Sequence, residues 1–361
     1  MKIKIILAIL CFAQVFLAQS KKSYIRKDLR IAYQSDGYNL IHPTNIKEDS
    51  KGNIFIYDAS QHAILKFNEN GQYIKTIGRK GKGPGEFLYT PVFEIDSNDN
   101  LITFDAGNMR ISIFDNNEDV KLIHKTVQNI PKIICSENGD YFIEQRNDGS
   151  YNPEGISCSK VYKYSSNLKS RILIDSVCYK TDIQITEPVR TNLPIPFIGN
   201  YIWAIDKNGN ILSCMSDQHA MTLRNNQGKI IGKKEFNIKK IKVNKKDKKV
   251  FLNSLGFYNG SSTENGVPKE IGKQIKFPRY KDLIKTIGFI KNYLMIEKVS
   301  ENPSTLKWLL IKKDNSKKYN LSLNVNSKKS SVSYSRNDFF VTYYNTEGFP
   351  IITKYSFNIK S

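Results

Sequence analysis

The segment Asp49-Ser-Lys-Gly-Asn-Ile-Phe-Ile-Tyr-Asp-Ala-Ser-Gln-His-Ala-Ile-Leu-Lys-Phe67 recurs in register as Asp96-Ser-Asn-Asp-Asn-Leu-Ile-Thr-Phe-Asp-Ala-Gly-Asn-Met-Arg-Ile-Ser-Ile-Phe114. Asp49 matches Asp96, Asp58 matches Asp105, Ile64 matches Ile111 and Phe67 matches Phe114, every pair 47 positions apart. Each copy is two short apolar strands separated by turn residues, a unit too small to bury its own face. Such a unit is stable only when neighbours stack on it, and four strands per repeat define a propeller blade.

Working outward, the hairpin turn ahead of each apolar strand counts the blades. Lys51-Gly52-Asn53, Asn98-Asp99-Asn100, Asn138-Gly139-Asp140 and Lys207-Asn208-Gly209-Asn210 are strong turn sequences, and Lys291-Asn292-Tyr293 and Arg336-Asn337-Asp338 are weaker ones. The strands that follow are Ile54–Tyr57, Leu101–Phe104, Tyr141–Glu144, Ile211–Met215, Tyr293–Ile296 and Phe339–Tyr343. The fold predicted is therefore all-β, a six-bladed propeller of four-stranded antiparallel blades. Two intervals, 140 to 210 and 210 to 292, exceed the 47-residue period, so five or seven blades stay open. Ser23–Ser35, with Ile25, Leu29, Ile31 and Tyr33 roughly alternating, reads as a strand that completes the last blade and closes the ring.

Between the two copies lies Ile77-Gly-Arg-Lys-Gly-Lys-Gly-Pro-Gly-Glu-Phe87, followed by Pro91 and Ile95-Asp96. Together with Asp105-Ala-Gly-Asn-Met-Arg-Ile111 this stretch resembles the NHL repeat, whose glycine-rich linker leads into an Asp-x-x-Asn-x-Arg-Ile element. The first copy departs from that pattern, with Gln61 and Ala63 where the repeat has Asn and Arg. The resemblance spans about 70 of 361 residues. It implies a divergent six-bladed propeller of the secreted kind found in Bacteroidetes. The NHL-repeat fold hosts binders and an amidating-lyase group, so the resemblance by itself leaves activity undecided.

Met1–Ala18 reads as a signal peptide: Lys2 and Lys4, then the apolar run Ile5–Leu17, then a small residue for cleavage. The run is too short to span a bilayer, and Leu10 ahead of Cys11 does not suit lipid attachment. Residues 19–361 are expected to form one exported propeller domain, periplasmic or secreted and monomeric. Four cysteines remain, with no C-x-x-C spacing; Cys158 and Cys178 are a candidate pair in an oxidising compartment.

The chain carries 55 Lys and Arg against 34 Asp and Glu, a net charge of +21. The lysines are scattered, no nucleic-acid motif accompanies them, and an exported protein is kept from cellular nucleic acid. Nucleic acid is therefore not an expected partner; an anionic polysaccharide, peptide or protein is. The surplus length falls in two loop insertions, near 177–197 and 233–280, and loops on a rigid scaffold commonly carry function. The first, with Glu187-Pro-Val-Arg-Thr-Asn-Leu-Pro-Ile-Pro196, is too rich in proline for a central strand. The second has nine lysines between Lys233 and Lys249, read as a charged loop, followed by Phe251, Phe257 and Tyr258. Those three aromatics, with Arg79, Lys80, Lys82 and Arg110 as a basic rim, are the candidate binding residues.

No catalytic pattern emerges. His42, His62, His124 and His219 have no ligand spacing, and no Gly-x-Ser-x-Gly elbow or His-Glu-x-x-His is present. His62 and His219 each lie in Gln-His-Ala, which points to an equivalent turn in two blades. The glycine-rich linker is followed by a strand, not by the helix a phosphate loop needs, and reads as a connection with positive φ at its glycines. Asp58 and Asp105 should bond turn backbone, with Arg110 available to pair with such an Asp. No catalytic residue, metal ligand or cofactor is predicted. The expectation is a non-enzymatic exported binder that holds its partner on one face of the ring. The alternative is a propeller-type lyase or lactonase with a metal, calcium included, in the central channel.

Overall fold

The hairpins form where a single side chain can satisfy a turn. In the computed structural model Asp49 accepts hydrogen bonds from the backbone N–H of Lys51 (3.0 Å) and Asn53 (2.8 Å) and from Asn53 Nδ2 (2.7 Å). Asp96 does the same for Asn98 and Asn100, and Asp206 for Asn208 and Asn210. Such Asx turns fold the chain back locally and so fix the register of the strands on either side. Ser136 takes the place in the third blade, accepting from the Asp140 N–H.

The structure describes residues 25–359 except 33, 36–37, 148–154, 186–190, 256–272, 303, 326–329 and 336–337. Six four-stranded antiparallel sheets span residues 43–77, 92–125, 129–180, 201–235, 284–324 and 330–357, the last completed by Ile25–Ala32. These are blades 1 to 6. Ile25–Ala32 pairs with Pro350–Phe357, placing Ile31 opposite Ile352, so the expected closing strand forms and covers an otherwise open edge.

The second strand of each blade is deeply buried, matched in blade 2 by the third strand, Arg110–Phe114. In Ile54–Asp58 and Leu101–Asp105 every residue is buried, because both faces of the sheet meet a neighbouring blade. Tyr57, Phe87, Phe93 and Phe114 knit blades 1 and 2 into one apolar cluster. Each fully buried side chain of this size contributes about 2 kcal/mol on folding. Polar pairs register the blades against one another: Tyr141 OH donates to Asp96, Tyr201 OH to Asp175, Trp203 Nε1 to Glu144, and Lys354 pairs with Glu48.

Both insertions are connections between the outer strand of one blade and the inner strand of the next. After Lys180 a separate hairpin forms from Asp182–Ile185 and Thr191–Pro194. The described part of the proline-rich segment, Thr191–Pro194, is thus an edge strand, where the missing N–H of Pro194 is tolerated. The lysine-rich segment differs from expectation, since Lys245–Leu255 is an α-helix. Its start is specified by a reciprocal cap: the Asp247 N–H donates to Asn244 Oδ1 and the Asn244 N–H to Asp247 Oδ2. Phe251, Leu252 and Leu255 fall on one side and pack with Leu193 and Ile275. Cys158 and Cys178, directly opposed on adjacent strands, are joined by a disulfide; Cys135 and Cys214 are free thiols.

Candidate functional site

The glycine-rich linker between blades 1 and 2 is occupied with its own structure. Gly78 and Gly85 have positive φ (75° and 73°), whereas Gly81 and Gly83 do not. A Cβ at Gly81 would meet the Glu86 carboxylate, so a side chain there would displace Glu86 from the loop. Glu86 turns into the loop, accepting from the Gly83 N–H at 2.7 Å and from Arg79 Nε at 2.7 Å. The hydrogen bond from Arg79, helped by that N–H, holds the Glu86 carboxyl below its usual range. The concavity that would receive a phosphate is filled by a carboxylate of the same loop.

Arg110 is not part of a binding rim. It is buried, and its guanidinium donates to the carbonyls of Lys82 (2.8 Å), Gly83 and Glu86 (2.7 Å). Nor does it pair with Asp105, whose oxygens accept from the N–H groups of Leu88, Tyr89 and Gly107 and from Asn108 Nδ2. Asp58 makes the equivalent latch to Ile41, His42 and Ser60. Ser216 does so in blade 4, accepting from the Asn200 N–H at 2.9 Å. His62 and His219 both sit immediately before the third strand of their blades, as their shared triplet implied. Of the basic rim, Arg79 is paired with Glu86, while Lys80 and Lys82 are exposed.

The two insertions converge. Phe197 from the first lies 6.0 Å from Phe251 and 6.4 Å from Phe277 of the second, ring centre to ring centre. Phe251 is therefore committed to packing and is not an exposed contact; Phe257 and Tyr258 lie outside the described residues. Beside this small core, Lys242 bridges Tyr280 in antiparallel fashion, and the Val243 and Lys281 N–H groups close the ladder. That pairing gathers cations around a ring that sequence reading passed over. Lys240 Nζ and the Arg279 guanidinium each lie 5.4 Å from the centre of the Tyr280 ring. The adjacent Arg279-Tyr280 pair was the available signal; its partner Lys240 is brought in only by folding.

The charge balance there is lopsided. Residues 236–255 and 273–283 hold eleven Lys and Arg against two carboxylates. Asp247 is paired with Lys281 at 2.6 Å. Burial pushes the Asp282 carboxyl up to about 6. Lys239, Lys240, Lys242, Lys245, Lys246 and Arg279 are exposed.

The innermost strands surround a central channel of about 410 Å³. Glu94 is the one carboxylate among its lining residues, and it is paired with Lys47 at 2.6 Å. Lys132 also lines it, donating to the Trp203 carbonyl, and burial lowers its ammonium to about 8 against the opposing pull of Glu144. Two ammonium groups and a single paired carboxylate do not make a calcium site, which needs several convergent oxygens. Among the described residues no group of three or more His, Cys, Asp or Glu could hold a metal.

These features define a six-bladed all-β propeller with an elaborated face. The chain belongs to the family described as DUF5128, a 6-bladed beta-propeller, whose model matches residues 35–255. The solved structures it resembles include a protein of Bacteroides fragilis NCTC 9343 described only provisionally as exported (TM-score 0.55, 13% identity, covering 94% of this chain and 97% of that one). A member of the DUF4221 family from Bacteroides vulgatus ATCC 8482 is similar at TM-score 0.52 and 12% identity, covering 92% and 97%. A virginiamycin B lyase of Staphylococcus aureus aligns at TM-score 0.46 and 11% identity, covering 92% and 99%, too distant to bring an activity with it. At these identities the likeness is one of fold. A search of curated protein sequences found no match. Among the described residues no helix is long and apolar enough to cross a membrane.

Proposed function

We propose that this protein is an exported, non-enzymatic propeller that binds an acidic polymer, foremost an anionic polysaccharide, on the face built by its two insertions. The observation that carries this reading is the Lys240–Tyr280–Arg279 cluster, set among the described residues 236–255 and 273–283, where eleven cations meet two carboxylates, neither of which opposes them as an exposed, unpaired charge. A solvated basic surface would not need cations stacked on an aromatic ring. A sugar chain uses both elements, the ring for its apolar face and the ammonium groups for its acidic substituents. Among the described residues, the pairing of the channel's one carboxylate, Glu94, with Lys47 favours the binding reading over the metal-dependent alternative.

Export is the companion claim, resting on Met1–Ala18, which lies outside the described residues, and on the description of the Bacteroides fragilis neighbour. Deleting residues 1–18 should retain the protein in the cytoplasm. For the binding claim, the triple variant Lys240→Glu, Lys242→Glu, Arg279→Glu should lose retention on an immobilised polyuronate when galacturonate trimer is present in excess to fill any site for short oligosaccharides. The pair Lys80→Glu, Lys82→Glu reverses fewer charges away from Tyr280 and should keep most of it. Equal loss from both sets would reduce the claim to net charge alone and sink the platform.

A further inference from the structure

A second cavity, of about 850 Å³, opens between blades 2 and 3. It exists because blade 3 ends in unusually long strands, Ile156–Tyr164 and Arg171–Lys180, that outreach the six-residue outer strand Val120–Lys125 of blade 2. The Cys158–Cys178 disulfide lies in its wall and ties those strands together. The cavity shares no residue with the Tyr280 platform.

Its wall holds a pre-formed guanidinium. Gln145 is 9% exposed, and its amide is fixed at both ends: Nε2 donates to Tyr164 OH at 2.9 Å, and Oε1 accepts from Arg171 Nη1 at 3.2 Å. Arg171 Nη1 also donates to Tyr164 OH at 2.9 Å. The guanidinium lies 4.4 Å from the Tyr162 ring centre, so its plane is supported from one side. With Nη1 engaged, Nε and Nη2 remain, the two donors that grip a carboxylate side-on. Freezing an arginine costs side-chain entropy, and that cost is already met here by Gln145, Tyr164 and Tyr162.

The rest of the lining selects among anions. It includes His124, Lys125 and Lys160 but no aspartate or glutamate. Two carboxamides of the lining, Gln128 and Asn147, offer paired donors and acceptors of the kind that match neighbouring hydroxyls, while Gln145 and Asn108 are held by the fold. The apolar part of the lining comes from Met109, Val127, the Cys158–Cys178 bridge and the rings of Tyr162 and Tyr164. We propose that this cleft is a binding site for a short uronate oligosaccharide, with a sugar carboxylate on Arg171 Nε and Nη2 and hydroxyls on Gln128 and Asn147.

The test is calorimetric titration of the full chain with galacturonate trimer, with the uncharged galactose trimer and with triglutamate. The galacturonate trimer should bind at least tenfold more tightly than either. Arg171→Lys keeps the charge but loses the fork and should weaken binding about tenfold. Gln145→Glu supplies an internal carboxylate to Arg171 and should abolish it. Both variants should keep the wild-type near-ultraviolet circular dichroism and the intact disulfide by mass. The Lys240→Glu, Lys242→Glu, Arg279→Glu variant should bind the trimer as wild type does, which separates this site from the platform whatever the fate of the latter. Equal affinity for charged and neutral trimers, no binding of either, preference for triglutamate, or unchanged affinity in Arg171→Lys would each overturn the proposal.

Discussion

Arg110 Nη1 donates to the carbonyl of Lys82 at 2.8 Å, so a buried cation fastens the backbone of an exposed one. The same guanidinium holds the carbonyls of Gly83 and Glu86, which makes it the pin of the linker between blades 1 and 2. Arg110→Lys cannot reach three carbonyls and should cost about 2–4 kcal/mol in urea unfolding. Lys82→Ala leaves the carbonyl in place and should stay within about 0.5 kcal/mol. A destabilised Lys82→Ala beside a neutral Arg110→Lys would reverse the roles assigned here.

Asp58 and Asp105 are latches of the same design, each collecting backbone N–H groups from the preceding connection and from its own turn. Replacing Asp105 with Asn puts an amide donor in place of one acceptor oxygen, facing N–H donors, and should cost about 1–3 kcal/mol. Because the side chain serves the fold, polymer retention at a temperature where the variant is folded should be unchanged.

Much of this was legible in the sequence because it is local and repeated. The Asp49 and Asp96 turns, the apolar second strands and the closing strand near Ile31 announce themselves through spacing and alternation. Arg110 was misassigned because a surface loop and a buried carbonyl cluster look alike until the loop folds onto it. The helix Lys245–Leu255 was missed because its charged first half, Lys245–Lys249, hides the Phe251, Leu252 and Leu255 face, and its partner Leu193 is about sixty positions away. Tyr280 likewise gains Lys240 only through a long-range bridge. Composition conveys the charge of that surface; only the tertiary structure shows where it is concentrated.

Lys132 should leave a signature in alkali. Its folded pKa, lowered by burial to about 8, lies below the value of about 10.4 for an unfolded lysine. Between these values the unfolded chain binds more protons, so this group makes stability rise with pH across that window. Below about pH 8 its unfavourable contribution is present in full. Lys132→Met should stabilise the protein at pH 7 by about 1–2 kcal/mol, a figure discounted because the side chain also meets channel water. Glu144 keeps Trp203 and Arg146 as partners in that variant. Thermal unfolding at pH 7, 8.5 and 10 checks this; an identical pH increment in wild type and variant would remove Lys132 from the explanation.

The Cys158–Cys178 bond closes a sequence separation of 20 residues, for which chain entropy gives about 3 kcal/mol. The double replacement Cys158→Ser, Cys178→Ser should lower stability by about 2–3 kcal/mol. A reductant should bring the wild type to the same value and leave the variant unmoved. Polyuronate retention should persist in both, since the platform is built from other blades.

The measurement that bears most directly on the central claim is the affinity of the full chain for a long polyuronate across a salt series, run beside a neutral polymer of matching length. With galacturonate trimer in excess to occupy the cleft between blades 2 and 3, the Tyr280 platform predicts binding to the charged polymer alone, with affinity falling steadily as salt screens the exposed lysines and with that dependence largely lost in the Lys240→Glu, Lys242→Glu, Arg279→Glu variant. No preference for the charged polymer, or a wild-type salt dependence retained in that variant, would contradict it.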